Sequence, residues 1–305
     1  MRIVQGLESF PPDAGPSAVA LGVFDGVHLG HCAILGTAVS QARHHGLAAL
    51  ACTFEPHPLE VLQPERAPAP LTTLADRLAL IAETGIDTTV VVAFTRAVAA
   101  LEPEAFVRDV LVRTLKARDV VVGFNHRFGR GARGDAELLR ALGAELGFRV
   151  HVVAPLSVDG IPVSSSEIRS ALQSGDLPRA ARLLGRPYLV QGDVVRGAGR
   201  GRTLGFPTAN VKTDGALPLP PGVYACHALV ESARHRAVIN VGIRPTFGET
   251  EITVEAHLLD FSGDLYGKRI RLEFQRHLRE ERKFSDVDAL RSQIALDVAA
   301  ARGDV

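Results

Sequence analysis

Two histidines three residues apart, His28 and His31, stand in a glycine-rich segment whose sequence from 22 to 31 is GVFDGVHLGH. The segment follows an apolar run and precedes an amphipathic stretch, which predicts a strand, a tight turn and a helix start. Glycines let the backbone approach a phosphate closely, and a helix start offers free N–H groups and a positive dipole end. The two imidazoles could then stabilise the charge of a triphosphate as pyrophosphate leaves. The alternative is a tight turn that carries two exposed histidines.

Three further polar segments follow predicted strands: TFEPHP at 53–58, VGFNHRFG at 122–129 and SSSEIR at 164–169. In an open α/β sheet, ligands bind at the carboxyl ends of the strands, so these segments are expected to join the histidine segment. Arg169 could clamp a phosphate with its guanidinium fork, or it could be a solvated helix residue. His57 could contact a ligand, or the prolines beside it could only shape a turn.

The second half contains a denser glycine-rich signal, GAGRGRTLGFPTAN at 197–210. The backbone N–H groups of such a loop, together with Arg200 and Arg202, can wrap phosphates. Thr208 and Asn210 offer neutral oxygens that suit Mg²⁺ bridging the phosphates of ATP. Glycine and arginine alone would also fit a flexible basic hairpin.

Glu255 lies in an apolar stretch, 252–259, that alternates like a strand. A carboxylate in such a strand is costly unless it is paired or used, so Glu255 is a candidate for proton transfer. His257, two residues further on, would share the face of Glu255 and is a rival base.

The first half alternates short apolar runs with helix-length amphipathic stretches, which predicts βαβ units and a parallel sheet covered on both faces. The predicted strands are 18–24, 47–54, 88–94, 119–124 and 148–155. The predicted helices between them are 29–45, 74–84, 103–116 and 135–146.

After residue 155 this alternation ends, and two short helices are expected before the chain becomes rich in strands. The predicted strands are 188–196, 223–230, 237–241, 252–259 and 269–274. Their alternation and the Gly/Pro turns between them predict an antiparallel sheet or a small barrel, followed by a last helix at 286–300. We place the domain boundary near Gly185, which gives domains 1–185 and 186–305.

The bulk composition is that of an ordinary globular protein, with 305 residues, 46% hydrophobic and 22% charged. Lys+Arg and Asp+Glu both count 34, so no net basic field draws the chain to nucleic acid or to a membrane. Three cysteines without CxxC spacing argue against a disulfide framework or a structural zinc site. The first ten residues do not resemble a signal peptide, so we expect a cytoplasmic protein, either monomeric or weakly self-associating.

The motifs of the first half resemble those of one family. GxFDGxHxGH is similar to the HxGH signature of the HIGH-type nucleotidyltransferases. With FEPHP, GxNxxFG and SSSxIR, it resembles the FAD synthetase domain of bacterial bifunctional riboflavin kinase/FAD synthetases.

The second half resembles the kinase domain of the same family. GFPTAN is similar to the PTAN motif of riboflavin kinases. The family's further landmarks follow in order: PGVYA at 221–225, NVGIRPTF at 240–247, VEAHLLD at 254–260, DLYG at 264–267 and LREERKF at 278–284. The resemblance covers the chain from residue 22 to about residue 293.

The resemblance implies a Rossmann-like parallel sheet of the HIGH type, followed by an antiparallel β-barrel with a terminal helix. The kinase would convert riboflavin and ATP to FMN and ADP. The adenylyltransferase would convert FMN and ATP to FAD and pyrophosphate. Both steps would use Mg²⁺, with flavin as substrate and product rather than as a redox cofactor.

The resemblance also implies roles for individual residues. The catalytic ones would be His28, His31 and Glu255, the last as general base for the riboflavin hydroxyl. Thr208 and Asn210 would bind the metal, and the flavin would contact His57, Phe128 and Arg279. The ATP and phosphate contacts would be Gly22, Phe24, Asp25, Gly26, Asn125, Ser165, Arg169, Gly199, Arg202 and Gly205.

Two features leave alternatives open. His126 stands where the family usually has an aromatic residue, which favours a second hypothesis: an active kinase joined to a nucleotide-binding module. Arg279 could instead be a surface ion-pair partner of Glu280 or Glu281. A third hypothesis, a flavin sensor or carrier, predicts flavin binding without turnover.

Overall fold

The computed structural model describes residues 1–197, 201, 204–245 and 250–303. Contacts between residues divide the chain into two compact units, Met1–Ser164 and Ser165–Val305. Among the helices in these described ranges, none has both the length and the hydropathy that crossing a bilayer requires.

In the first unit, all of whose residues are described, six parallel strands form one sheet in the order β1-β4-β3-β2-β5-β6. The strands are β1 Arg2–Gln5, β2 Ser17–Leu21, β3 Ala48–Glu55, β4 Thr88–Ala93, β5 Ala117–Gly123 and β6 Arg149–Val153. A short antiparallel pair, β7 Ser157–Val158 and β8 Ile161–Pro162, follows the sheet.

Helices connect these strands, as the predicted alternation required. They are α1 Leu29–His45, α2 Pro58–Leu62, α3 Leu74–Glu83, α4 Arg96–Ala99, α5 Pro103–Ala105 and α6 Ala136–Leu146. The predicted helix 103–116 is present in a different form, because α5 continues as a π-helix over Phe106–Thr114. The predicted α/β fold is therefore confirmed.

The two faces of the sheet use side chains of different size. Ala18 and Ala20 point towards α1 and α3, and pack with the buried Leu35. Val19 and Leu21 point to the other face, where the π-helix and α6 cover them. This alternation explains why β2 is buried throughout, as expected for a strand in a parallel sheet with both faces covered.

The sequence analysis did not predict the edge strand β1. Val4 is its one buried residue among four, so no apolar run marks the strand. Its backbone nevertheless pairs with β4 over the register Arg2↔Thr88 to Gln5↔Val91. Backbone pairing, rather than side-chain burial, places this segment.

Among the described residues of the second unit, six antiparallel strands close a barrel in the order β10-β13-β12-β11-β14-β9. They are β9 Tyr188–Val195, β10 Ala209–Thr213, β11 Gly222–Val230, β12 Ala233–Pro245, β13 Thr250–Leu258 and β14 Arg269–Arg279. The predicted barrel is confirmed, with one strand more than predicted, because β10 begins with the last two residues of the motif interpreted as a phosphate loop. The interior contains the fully buried rings of Tyr224 and Phe274, 5.5 Å apart.

The helices among the described residues of the second unit include α7 Ser165–Gln173, α8 Leu177–Leu184 and α9 Val287–Arg302. Helix α8 packs against β9 and β14, and α9 packs against β11 and β12. Helix α9 begins where the sequence predicts, since the Asp286 side chain accepts a hydrogen bond from the N–H of Ala289 at 2.8 Å.

A fully buried carboxylate, Asp119, ties together three elements of the first unit. Arg149 on β6 donates to it from Nε at 2.8 Å and from Nη2 at 2.7 Å. His151 Nε2 lies 2.7 Å from Asp119, and His45, the last residue of α1, lies 3.1 Å from it. Burial alone would raise the pKa of Asp119, but the hydrogen bonds from Arg149 and His151 outweigh it, so the pKa lies below its usual value.

We expect Asp119→Asn to lower the free energy of unfolding of the first unit by about 2 kcal/mol, because the neutral amide loses the charge-assisted hydrogen bonds that Arg149 and His151 donate to the buried carboxylate. The contribution requires the ionised carboxylate, so it is present above the unfolded-state pKa and is lost as the pH falls through the lower folded-state pKa. Urea unfolding followed by circular dichroism measures the loss.

The three tyrosines all lie in the second unit and the chain has no tryptophan, so tyrosine fluorescence reports the second unit alone. The fluorescence transition of Asp119→Asn should match that of the wild type. Asp109→Asn, which breaks an exposed ion pair with Arg113, is the matched control and should change stability by less than about 0.5 kcal/mol. Equal losses in the two variants would contradict the expectation.

Candidate active sites

The first candidate site lies where the strand order of the parallel sheet reverses. Strand β2 pairs with β3 on one side and with β5 on the other. The chain therefore proceeds outwards from β2 in one direction and later from β5 in the opposite direction. A crevice forms at the carboxyl ends of two such strands, and ligands of open α/β sheets bind there.

The loop after β2 has a compact, glycine-dependent shape. The ring of Phe24 is fully buried although its φ is 56°, and Gly26 has a φ of 83°. A Cβ atom on Gly22 would lie 2.9 Å from the Phe24 ring, and one on Gly26 would lie 2.8 Å from Leu71 Cδ1. Larger residues at either position would displace the loop, so these glycines have a packing role whatever their contact with phosphate.

His28 and His31 lie together at the start of α1. His28 is the N-cap, and its Nδ1 accepts a hydrogen bond from the N–H of His31 at 3.2 Å. The two rings stack with centroids 3.6 Å apart, and the His31 ring also meets the edge of Phe24 at 5.4 Å. Because Nδ1 of His28 is an acceptor, the hydrogen of the neutral ring is on Nε2, which is then a donor.

The end of β5 presents one exposed and one buried aromatic residue. Phe124 is 55% exposed and lies beside the exposed Asn125, whereas Phe128 is buried against Phe106 at 5.9 Å. The role of Phe128 in binding flavin stays a prediction, and its position gives it a packing function. Phe124 offers an exposed ring that is available for stacking.

Two other predicted residues already have intramolecular partners. His57 caps α2, since its Nδ1 accepts from the N–H of Leu59 at 3.1 Å and Glu60 completes a capping box. One oxygen of Asp25 accepts from the N–H of Leu71 at 2.9 Å. Contacts of His57 with flavin and of Asp25 with ATP remain predictions, alongside these structural roles.

Ser165 and Arg169 lie on α7, which groups with the second unit, and both are partly buried. Glu167 of the same helix forms an ion pair with Arg179 on α8. The predicted contacts of Ser165 and Arg169 with ATP stay predictions.

The second candidate site is a transverse row of residues across the barrel. Glu255 on β13 pairs in register with Asn210 on β10 and with Asn240 on β12. Asn240 pairs with Val223 on β11, which in turn pairs with Arg279 on β14. All five residues line one cavity. The strand register places Asn240, the first residue of the NVGIRPTF segment, next to Glu255.

The cavity beside this row has a volume of about 350 Å³. Helix α9 and the segment before it form one wall. The apolar side chains of the lining are Leu204, Phe206, Val223, Val238, Phe284, Leu290 and Ile294. A pocket of this size with apolar walls and a few convergent polar groups is typical of small-molecule sites.

Thr208 and Asn210 line the cavity together with Glu255, and Thr208 also lines a second cavity of about 110 Å³. The second cavity has aromatic walls that include Phe261 and Tyr266. Gly205, with a φ of 86° and open space around it, belongs to the turn before Thr208. The predicted phosphate contacts Gly199 and Arg202 lie outside the described residues.

The environments of Glu255 and His257 differ. Glu255 is partly buried, and none of the residues that the structure describes forms an ion pair or hydrogen bond with its carboxylate. The Nδ1 of His257 lies 2.8 Å from the carbonyl oxygen of Pro207, and its ring meets Phe206. The carboxylate of Glu255 is therefore the more available proton acceptor in the cavity.

Arg279 forms an ion pair that the sequence analysis did not predict. Its partner is Asp297 on α9, 4% exposed, rather than either neighbouring glutamate. The Nε and Nη2 atoms of Arg279 donate to the two carboxylate oxygens at 2.9 and 2.8 Å, and Gln293 donates to the same carboxylate. The guanidinium thus joins β14 to α9 at the cavity wall, and its contact with flavin stays a prediction.

His126 packs as an aromatic residue. Its ring stacks on Phe128 at 5.9 Å, and its Nε2 is buried without a hydrogen-bond partner in the described part of the chain. Burial lowers the pKa of His126 to about 4, so the ring is neutral at physiological pH. A neutral imidazole can therefore fill the place that the family gives to an aromatic side chain.

We expect His126→Phe to make the stability of the first unit less dependent on pH. Below pH 6.5 the unfolded chain binds a proton that the folded protein excludes until about pH 4, so the wild type loses stability as the pH falls through this range. The contribution of His126 to that loss is about 3 kcal/mol, and phenylalanine removes it. Unfolding of both proteins at a series of pH values measures the difference, and parallel curves would contradict the expectation.

Comparisons with known proteins identify a family for each half of the chain. A family model described as FAD synthetase matches residues 11–167, and one described as riboflavin kinase matches residues 184–304. A bifunctional riboflavin kinase/FMN adenylyltransferase of Escherichia coli (strain K12) is 38% identical over 305 residues, covering 99% of this chain and 97% of the relative. A protein of the same name from Bacillus subtilis (strain 168) is 39% identical, covering 92% and 90%.

A solved structure is similar over the whole chain. It is the crystal structure of a macrolide-efflux protein from Streptococcus pneumoniae, with a TM-score of 0.91 and 28% sequence identity. The match covers 100% of both chains.

Proposed function

Because the chain belongs to the family of bifunctional riboflavin kinase/FMN adenylyltransferases, we propose that the barrel cavity phosphorylates riboflavin and that the sheet-edge site adenylylates FMN. The observation that carries this assignment is the transverse row of residues across the barrel. It brings the half-buried carboxylate of Glu255 to the wall of a flavin-sized cavity. Macrolide efflux, named for the pneumococcal structure, is not proposed, because Glu255, Thr208 and Asn210 are groups suited to phosphoryl transfer.

Riboflavin fits the larger barrel cavity. Its flat apolar ring system would lie against the walls formed by Val238 and Ile294, with its ribityl chain directed to Glu255. The smaller cavity would hold the adenosine of ATP against Tyr266 and Phe261. Because Thr208 lines both cavities, the phosphates would lie between the two bound groups, near this residue.

In the kinase reaction, the carboxylate of Glu255 accepts the proton of the riboflavin 5′-hydroxyl. The hydroxyl oxygen forms a bond to the γ-phosphorus of ATP, and the bond to the β–γ bridging oxygen breaks, which releases ADP. General-base catalysis of this kind contributes roughly 10²–10⁴-fold to a rate. The amide of Asn240, next to Glu255 in register, would orient the hydroxyl through its oxygen, since its Nδ2 donates to Glu281 at 3.2 Å.

The described residues contain no cluster of three or more His, Cys, Asp or Glu side chains that could hold a metal ion. The neutral oxygens of Thr208 and Asn210 nevertheless fit Mg²⁺, which proteins often bind through few side chains and the phosphates of a substrate. We therefore propose that these two residues hold the magnesium of Mg–ATP, where the ion would neutralise phosphate charge.

In the adenylyl transfer, an oxygen of the FMN phosphate attacks the α-phosphorus of ATP and pyrophosphate leaves. His28 and His31 would donate to the phosphate oxygens, and the dipole at the start of α1 adds to the stabilisation of negative charge. Asn125 and the exposed ring of Phe124 would contact the bound nucleotide or flavin at the end of β5. Ser165 and Arg169 would supply the phosphate contacts that the sequence motif predicts.

The compartment and the domain boundary also remain proposals. The three cysteines are free, and burial raises the pKa of Cys52 to about 12, which suits a reducing cytoplasm. We place the start of the kinase domain near Gly185, where the riboflavin kinase match begins at residue 184. We further propose that the protein is a monomer or self-associates weakly.

Separate sites predict separable losses of activity. Glu255→Gln should reduce FMN formation from riboflavin by about 10²-fold or more, while FAD formation from supplied FMN stays close to that of the wild type. His28→Ala with His31→Ala should reduce FAD formation by at least about 10²-fold and leave FMN formation unchanged. Chromatography of the flavins formed from riboflavin or from FMN measures both rates.

Glu231→Gln, an exposed change in the second unit, is the control for the kinase variant, and His44→Ala, exposed on α1, is the control for the double variant. Both should keep both activities. If Glu255→Gln or the double variant abolished both activities while remaining folded, the assignment of one reaction to each site would be wrong.

A further inference from the structure

Arg77 on α3 is a buried arginine that contacts two different segments of the first unit. Its side chain is 5% exposed. Nη1 donates to the carbonyl oxygen of Val23 at 3.0 Å, and Nη2 donates to the carboxylate of Glu55. Burying a guanidinium is costly unless its hydrogen bonds are specific, so these two contacts explain the position of Arg77.

The carbonyl of Val23 is fixed from two directions. Besides Arg77, the buried hydroxyl of Thr53 on β3 donates to it at 2.8 Å. A carbonyl oxygen has two lone pairs, and both are occupied here. The peptide that follows leads into Phe24, which has its φ at 56° and whose ring supports His31. The orientation of the Val23 carbonyl therefore sets the direction in which the loop leaves β2.

The segment just before α3 holds the same loop at two further points. One oxygen of Asp25 accepts from the N–H groups of Leu71 and Thr72 at 2.9 and 3.3 Å. The N–H of Gly26 donates to the hydroxyl of Thr72 at 3.2 Å. The start of α3 thus holds the loop that presents the two histidines, and Arg77 also contacts β3, beyond the loop.

That second contact lies at the end of β3. Glu55 is the last residue of the strand, and its side chain is 44% exposed, far more than that of Arg77. Two residues later His57 caps α2. Arg77 consequently connects the loop after β2, which leads to His28, with the turn after β3, which contains His57.

We propose that Arg77 is a positioning residue for FMN adenylylation: it bridges the Val23 carbonyl and the Glu55 carboxylate and so fixes the histidine loop against the turn after β3. The inference rests on the proposed function of the first unit. Arg77 itself does not touch the reacting atoms, and it acts through the placement of His28 and His31. Lysine could not reproduce the bridge, because an ammonium group lacks the rigid fork that reaches two acceptors.

The test uses the full-length chain, in which riboflavin phosphorylation by the second unit is an internal reference. Arg77→Ala should lower kcat for FMN adenylylation by about 100-fold and raise KM for ATP, as expected when catalytic groups are misplaced. Arg77→Lys should lie between this variant and the wild type. Both should retain riboflavin phosphorylation within about twofold, since changes at distant, independent sites do not couple. Arg108→Ala, which breaks an exposed pair with Glu145, is the matched control and should leave both activities unchanged.

Chemical rescue of Arg77→Ala distinguishes a positioning role of Arg77 from a mere decrease in the amount of folded protein. Guanidinium added at a non-denaturing concentration should raise the adenylylation rate of Arg77→Ala about tenfold. The ion can occupy the vacated space between the Val23 carbonyl and the Glu55 carboxylate. Thr53→Val removes the other donor to the Val23 carbonyl but leaves no cavity for guanidinium, so it should lose activity without rescue.

Two results would overturn the inference. The first is adenylylation by Arg77→Ala at the wild-type rate. The second is a loss of kcat with an unchanged KM for ATP and no response to guanidinium, which a smaller folded fraction alone would produce. A wild-type chain that forms no FAD from FMN would instead contradict the proposed function of the first unit.

Discussion

The hydrogen-bond register of the barrel is the constraint on which the kinase site depends. Register places Asn210, Glu255 and Asn240 side by side on three neighbouring strands. In the sequence, Asn210 and Asn240 are thirty residues apart, and Glu255 follows Asn240. A shift of β13 by one residue would turn Glu255 to the opposite face of the strand. Closure of the barrel prevents such a shift, because every strand is paired on both sides. The first unit uses the corresponding rule for parallel strands, whose carboxyl ends meet at one edge.

Buried charged groups fix the loops and helices whose positions strand pairing does not determine. Asp119 joins α1 to two strands, Arg77 joins the ends of β2 and β3, and Asp297 joins α9 to β14 through Arg279. Each makes at least two directed contacts, which offset the cost of removing a charge from water. Two of these three contacts lie beside a candidate site. The polar interior therefore does more than add stability, because these contacts fix the loops and helices that carry the residues proposed to be catalytic.

The fold followed from the periodicity of apolar residues, which predicted both the parallel sheet and the barrel. Strand β1 was not predicted because Val4 is its one buried residue, and β10 because its first two residues end the segment interpreted as a phosphate loop. The motif residues themselves were identified by type and spacing. Their intramolecular partners were not, because contacts such as Arg279 with Asp297 depend on three-dimensional packing that no local pattern records. The exposure of Phe124 and the burial of Phe128 were hidden for the same reason.

The central claim is that one chain performs two consecutive reactions at two sites. Its most direct test is a time course of the purified protein with riboflavin, ATP and Mg²⁺, in which chromatography separates riboflavin, FMN and FAD. We expect FMN to appear first and then to be converted to FAD, with pyrophosphate released only in the second phase. FMN that accumulates without any FAD would contradict the claim and would leave the first unit as a nucleotide-binding module beside an active kinase.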